Sequence, residues 1–219
     1  MIETIFVPRG AEADAVRTAA ARAKSPVRVV ETGIGSLAAR NAADEALRVG
    51  ACGTTLVTGL CGLLSPAFAV GEALVYRELR RDGAPPIELE RALGDALAAK
   101  LPGSQTGIRA FESDRIVEAP EAKLALHRRT AGEAVDMESY ALADRLQRRG
   151  VSLAVVRIGS DGARDALPEL DRALNGSGGM DATALLLAML RKPAAGARLA
   201  VNGTRALRAL RRAVEAILR

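Results

Sequence analysis

A chain of 219 residues has room for one sizeable hydrophobic core, or at most two small ones. Hydrophobic residues at 49% exclude a disordered chain, and aromatics at 2% with no Trp exclude the base-stacking platforms of single-strand nucleic-acid binders. The net charge of +5 is local: residues 191–219 hold eight Lys/Arg against one acid, Glu215, and the remainder is slightly acidic.

In chain order, "ETIFVP" predicts a first strand and "AEADAVRTAAARA" a helix. "VRVVET" predicts a second strand closed by Gly33. "SLAARNAADEALRV" is a helix with Ser36 as a suitable N-cap, and "TTLVT" a third strand ending at Gly59. After Gly59 the pattern changes to a glycine-rich turn, "TGLCGLL", then one or two strands up to "VYREL". "IELERALGDALAAKL" predicts an amphipathic helix, "GIRAFES" a strand, and "EAPEAKLALHRRTAG" a helix closed by Gly132. "EAVDM" is a short strand, "ESYALADRLQRRG" a helix, and "SLAVVRIGS" an apolar strand of the buried parallel kind. "NGSGGMD", residues 175–181, reads as a flexible joint before two helices. The last of these carries Leu199, Leu207, Leu210, Val214 and Leu218 at helical spacing. The sum is one α/β domain over 1–219. It has a three-layer build: a mainly parallel mixed central sheet, helices on both faces, and a basic helical extension from about 176.

Two cysteines, Cys52 and Cys61, and no leader pattern in "MIETIFVPRG" fit a reducing cytoplasm. No apolar run reaches the roughly 20 residues of a membrane span. One His, His127, and two separated cysteines leave no metal cluster and no Ser/His/Asp or Cys/His set, so acid–base chemistry must rest on carboxylates. "TGIGSLA" matches the dinucleotide form G-x-G-x-x-A, but the next strand ends "TLVTGLCG" without the acid that reading requires. Gly59 and Gly62, beside Leu60 and Cys61, either form a plain turn or let backbone N–H groups approach a ligand at the strand end. Glu138 opens a helix, where an acid is also favoured by the macrodipole. Asp161 ends an apolar strand, either capping the next turn or serving a site.

Together, "GIGSLAARNAADEAL", "VTGLCGLLSPAFAVGEALV", "AVDMES" and "VVRIGSDGA", in this order over residues 1 to about 165, resemble the nucleoside phosphorylase/nucleosidase superfamily. That group holds purine and uridine phosphorylases, methylthioadenosine nucleosidase and futalosine hydrolase. The resemblance implies cleavage of a purine N-glycosidic bond, by phosphate or water, through an oxocarbenium-like transition state. It implies that Asp161 donates to purine N7 with Ser160 orienting it, that Glu138 holds the ribose hydroxyls, and that Met137 packs on the sugar. Glu12 is the nearest match to the water-activating glutamate, with Ala15 the alternative register. Phe111 is the stacking candidate for the base. Arg9, Gly10 and Arg40 are candidate phosphate contacts, since Leu60 stands where the family often has a hydroxyl. No cofactor is implied beyond inorganic phosphate as a candidate co-substrate, and a homo-oligomer is implied.

"DALPELDRALNGSGGMDATALLLAMLRKPAAGARLA" is similar to the tail of hopanoid-associated phosphorylases, which implies adenosylhopane as substrate. It also implies peripheral contact of the basic final helix with an anionic membrane. The alternatives are a futalosine- or uridine-type substrate and a non-catalytic nucleoside-binding homologue. A nucleic-acid partner has only the tail charge in its favour.

Overall fold

The computed structural model describes residues 1–174, 179 and 181–219. Most of the expected joint at 175–181 therefore lies outside the described residues.

Three parallel strands open the sheet. β1 (Thr4–Pro8) lies between β2 (Arg28–Thr32) and β3 (Thr55–Leu63). The connecting helices are α1 (Ala11–Ala20) and α2 (Ser36–Val49). β4 (Ala73–Arg80), a two-residue β5 (Ile87–Glu88), α3 (Arg91–Ala98) and β6 (Gln105–Glu112) follow. Then come α4 (Pro120–Thr130), β7 (Ala134–Asp136), α5 (Ser139–Gln147) and β8 (Leu153–Asp161). After a 3₁₀ turn at Asp171–Ala173 the chain ends in α6 (Ala182–Arg191) and α7 (Pro193–Leu218).

The sheet is mixed and mostly parallel, and it closes on itself. β3 pairs β8, β8 pairs β4, β4 pairs β6, β6 pairs β7, and β7 returns to β3. Closure explains the near-continuous burial of β8, whose "LAVVRIG" has neighbours on both edges. Helices cover both faces. Ala39, Ala43 and Ala46 of α2 join Leu142 and Leu146 of α5 over one face. Ala13 and Val16 of α1, Leu97 of α3, and Leu210 and Val214 of α7 cover the other. Small residues on α1 and α2 let these helices lie close to the strands.

Several sequence expectations change. "TGLCGLL" is not a turn: β3 runs through it to Leu63, because β8 offers a ladder as far as Gly62 opposite Asp161. The register shift between Cys61 and Gly62 marks the irregularity that the glycines permit. Ser36 is the first residue of α2, not its cap; Gly35 holds that place and the Ser36 hydroxyl donates to Glu112 at 2.9 Å. α4 is closed by Ala131 in the left-handed region (φ 53°) rather than by Gly132. The helix expected from residue 87 starts at Arg91, since Ile87–Glu88 pairs with β4.

α7 begins at Pro193, which suits a first helical turn. Its apolar stripe is not free for a lipid surface. Ala206, Leu210, Ala213, Val214 and Ile217 are buried in the core shared with α1 and β8. What α7 leaves exposed includes the arginines Arg205, Arg208, Arg211 and Arg212, with Val201. No helix among the described residues is long and apolar enough to cross a membrane.

Candidate functional site

Four chain segments meet where β1, β3 and β8 end. β3 and β8 run side by side and bring Leu60, Cys61 and Gly62 next to Ser160 and Asp161. β7 pairs antiparallel with β3 at Gly62 and Val135, which delivers Asp136, Met137 and Glu138. The turn after β1 brings in Glu12 from the first turn of α1. These residues line a cavity of about 230 Å³, closed by Ile34, Ile116, Val117, Leu167, Leu170 and Leu199. One wall is therefore polar and carboxylate-rich, the other aliphatic.

Each carboxyl is held differently. Glu12 accepts one hydrogen bond, from the Leu60 backbone N–H to Oε2 at 2.7 Å. Its other oxygen has no protein partner among the described residues. Burial pushes its pKa up to about 7; Arg157 and the Leu60 N–H pull the other way, and Glu138 and Asp136 add to the rise. Gly59 makes this approach feasible. It sits in β3 at φ 141°, and a Cβ there would lie 2.5 Å from Glu12 Oε2 and 2.7 Å from Arg157 Nη1. Only glycine fits, by conformation and by space.

Glu138 is 4% exposed at the N-cap of α5. Its Oε1 accepts from the Gly35 N–H at 3.0 Å and its Oε2 from Arg157 Nη2 at 3.2 Å. The glycine turn "TGIGSLA" thus serves a carboxylate rather than a dinucleotide. Burial raises the Glu138 pKa, against the opposing charge of Arg157. Asp136 is the true capping group of α5, accepting from the N–H groups of Glu138 and Ser139 at 3.1 and 2.9 Å. With Asp136 in that role, the Glu138 side chain is left to face the cavity.

Arg157 is fully buried beneath these acids and donates to Glu138, to Ser139 Oγ at 3.1 Å and to the Leu60 carbonyl at 3.3 Å. Burial works against its charge, but Asp136 and Glu138 outweigh that and hold its pKa above the ordinary guanidinium value. Asp161, 6% exposed, accepts from Ser160 Oγ at 2.7 Å on Oδ1 and from Lys123 Nζ on Oδ2. The Lys123 ammonium is completely buried and also donates to the carbonyls of Gly162 at 2.9 Å and Asp165 at 3.1 Å. Cys61 lines the cavity as an unreactive thiol, its pKa pushed up to about 12 by burial.

Glu12, Leu60, Cys61, Gly62, Met137, Glu138, Ser160 and Asp161 are thus gathered in one place. Five other expected residues are not in the lining. Phe111 does not line this cavity. It packs on Leu64 and Val135, with the Arg129 guanidinium 5.3 Å from its ring centre, and faces a separate cleft of about 460 Å³. It packs on Val135 and Val117, which do line the cavity, but is not itself part of the lining. Arg9 and Gly10 are exposed at the end of β1, outside the cavity. Arg40 turns back along α2, its Nε donating to the Ser36 carbonyl at 3.3 Å. Gly59 lies behind the lining and acts by making room.

Sequence reasoning missed Arg157, Asp136 and Lys123. Arg157 had a signal, a charge inside the otherwise apolar "LAVVRIG". Lys123 had none, because a lysine in a helix is ordinarily a surface residue.

A search of curated proteins by sequence found no match. Solved structures with the same fold are several. Futalosine hydrolase of Helicobacter pylori strain 26695 superposes with a TM-score of 0.75 at 14% identity, over 99% of this chain and 97% of that one. The 5′-methylthioadenosine/S-adenosyl homocysteine nucleosidase of the same organism gives 0.73 at 16% identity, over 99% and 97%. The corresponding nucleosidase of Colwellia psychrerythraea, solved with adenine, gives 0.67 at 16% identity, over 97% and 95%. Residues 4–191 match the family model of the phosphorylase superfamily. The chain belongs to the phosphorylase superfamily.

Proposed function

We propose that the protein cleaves the N-glycosidic bond of a 5′-substituted, adenosine-type nucleoside, with water as acceptor and adenine as product. The observation that carries this reading is the trio Glu12, Glu138 and Asp161 around one cavity, each with a different hydrogen-bond environment. Glu12, with a free oxygen and a pKa of about 7, is suited to take a proton from an attacking water. Glu138, fixed by Gly35 and Arg157, is suited to accept from the ribose hydroxyls, with Met137 against the sugar. Asp161, oriented by Ser160, addresses the leaving purine at N7. Positive charge developing on the ribose is met by the two glutamates, and negative charge on the base by the Asp161 end.

Water is favoured over phosphate on electrostatic grounds. Four carboxyl groups, those of Glu12, Asp136, Glu138 and Asp161, face Arg115 in the lining, and the candidate phosphate contacts Arg9, Gly10 and Arg40 lie off the cavity. The aliphatic wall of Ile116, Val117, Leu167, Leu170 and Leu199 suits an uncharged 5′ substituent, a thioether or a hydrocarbon. The names of the similar structures favour methylthioadenosine, S-adenosylhomocysteine or futalosine over adenosylhopane.

The test incubates the protein with adenosine, 5′-methylthioadenosine, S-adenosylhomocysteine, adenosylhopane and futalosine, with and without phosphate, and follows base release by chromatography. Adenine release in phosphate-free buffer supports the proposal. Turnover of futalosine alone selects that substrate class instead, and a strict phosphate requirement changes the acceptor.

A further inference from the structure

The proposed chemistry asks Asp161 to deliver a proton to the leaving base, yet Asp161 is ion-paired to a lysine. A carboxylate in that state has no proton to give. Lys123 comes from α4, far from the motifs that shape the cavity, and its side chain is completely buried. Its three N–H bonds meet three acceptors: Asp161 Oδ2, the Gly162 carbonyl and the Asp165 carbonyl. An ammonium has three donors and no acceptor, so the set is complete. Losing one proton toward Asp161 leaves two N–H bonds for the two carbonyls and a lone pair facing the carboxyl. Both forms of the amine are therefore satisfied by the same surroundings.

We propose that Lys123 is a positioning residue that supplies, through Asp161, the proton required by the leaving purine. The inference rests on the reading of the cavity as a nucleosidase site. One proton makes two moves, from Nζ to the Asp161 carboxylate and from the carboxyl to N7 of the base. Meanwhile the C–N bond breaks with its electron pair going to the base, and a C–O bond forms to the water, whose proton goes to Glu12. Lys123 is left as a neutral amine and Asp161 as a carboxylate. Proton return from solvent resets Lys123, and proton loss resets Glu12.

The experiment compares two substrates in wild type, Lys123→Met and Lys123→Arg. One is whichever adenosine analogue the wild type turns over. The other is 4-nitrophenyl β-D-ribofuranoside, whose phenolate leaves without protonation. Lys123→Met is expected to lower kcat for adenine release about 10²–10³-fold. It should leave KM within a few-fold and nitrophenolate release nearly unchanged. Lys123→Arg keeps the positive charge but cannot give up its proton, so it should stay slow on the adenosine analogue. Equal losses on both substrates, or full rescue by Arg, overturn the proposal. If Lys123→Met does not fold, Lys123→Gln retains two N–H donors for the carbonyls and takes its place. A wild type inactive on both substrates overturns the nucleosidase reading and this inference with it; an active wild type with unchanged substrate preference in the variants overturns this inference alone.

Discussion

Two buried glutamates, Glu12 and Glu112, share a pKa pushed up to about 7 by burial, and they sit in very different places. Glu112, 4% exposed at the end of β6, is saturated by the protein. Its Oε1 accepts from Ser36 Oγ at 2.9 Å and Arg81 Nη1 at 2.5 Å, and its Oε2 from the Ala141 N–H at 2.8 Å. It ties α2, β6, α5 and the residue that follows β4 together. Glu12 accepts one bond and turns its remaining oxygen to a cavity. A raised pKa therefore does not locate the chemistry here. What sets Glu12 apart is unspent hydrogen-bonding capacity facing a cavity. The larger cleft beside Glu112, with Arg81, Phe111 and Arg129, is lined by groups already paired with one another.

The contrast can be broken by substitution. Asp161→Asn is expected to have the largest effect, a fall in kcat for adenine release of about 10²–10⁴-fold. Retained activity in a folded variant would remove Asp161 from the reaction. Glu12→Gln should follow, with a loss of about 10²–10³-fold in kcat. Glu112→Gln, at the same pKa, should change kcat less than about 3-fold, while at pH 5 it lowers stability by about 1–2 kcal/mol in urea unfolding through the hydrogen bonds lost to Ser36, Arg81 and Ala141. Similar kcat losses for both glutamates would erase the distinction.

pH sharpens the same comparison. If Glu12 acts as a base, kcat/KM should rise about tenfold per pH unit below 7 and level off above it, and Glu12→Gln should flatten that limb. Stability should move the opposite way. The folded pKa of Glu12 lies above its ordinary value of 4.5, so between about 4.5 and 7 the folded state holds the proton more tightly than the unfolded chain. Its contribution to stability is present below that window and lost as pH rises through about 7. Glu12→Gln should thus be more stable than wild type at pH 8, by about 1–3 kcal/mol, a trade of stability for a poised base. Phe111→Ala is the smallest effect on activity: nucleoside KM should move less than about 2-fold, whereas melting temperature falls because the ring packs on Leu64 and Val135.

The alternation of strands and helices was legible because apolar runs and glycine breaks are local signals. Glu138 and Asp161 stood out for a related reason: each is a carboxyl at the end of an otherwise apolar strand or at the opening of a helix. Glu12 was legible only as one of two registers, and its place beside Leu60 depends on the missing side chain of Gly59. Phe111 falls outside the lining, and a strand's neighbours, which decide what each of its side chains meets, are not in the local pattern. The stripe on the last helix was seen correctly as apolar, but its partner, the core shared with α1 and β8, was not in the pattern.

The sequence by itself determined the order of elements, the basic C-terminal segment and the choice of carboxylates as candidate acid–base groups, since these follow from periodicity, composition and the scarcity of His and Cys. Tertiary structure alone decided which carboxylates share a cavity and which lysine and arginine lie behind them. Closing β3, β8, β4, β6 and β7 into a ring brings positions dozens of residues apart within hydrogen-bond reach. The charge state of a buried acid depends on those neighbours rather than on the residues beside it in the chain.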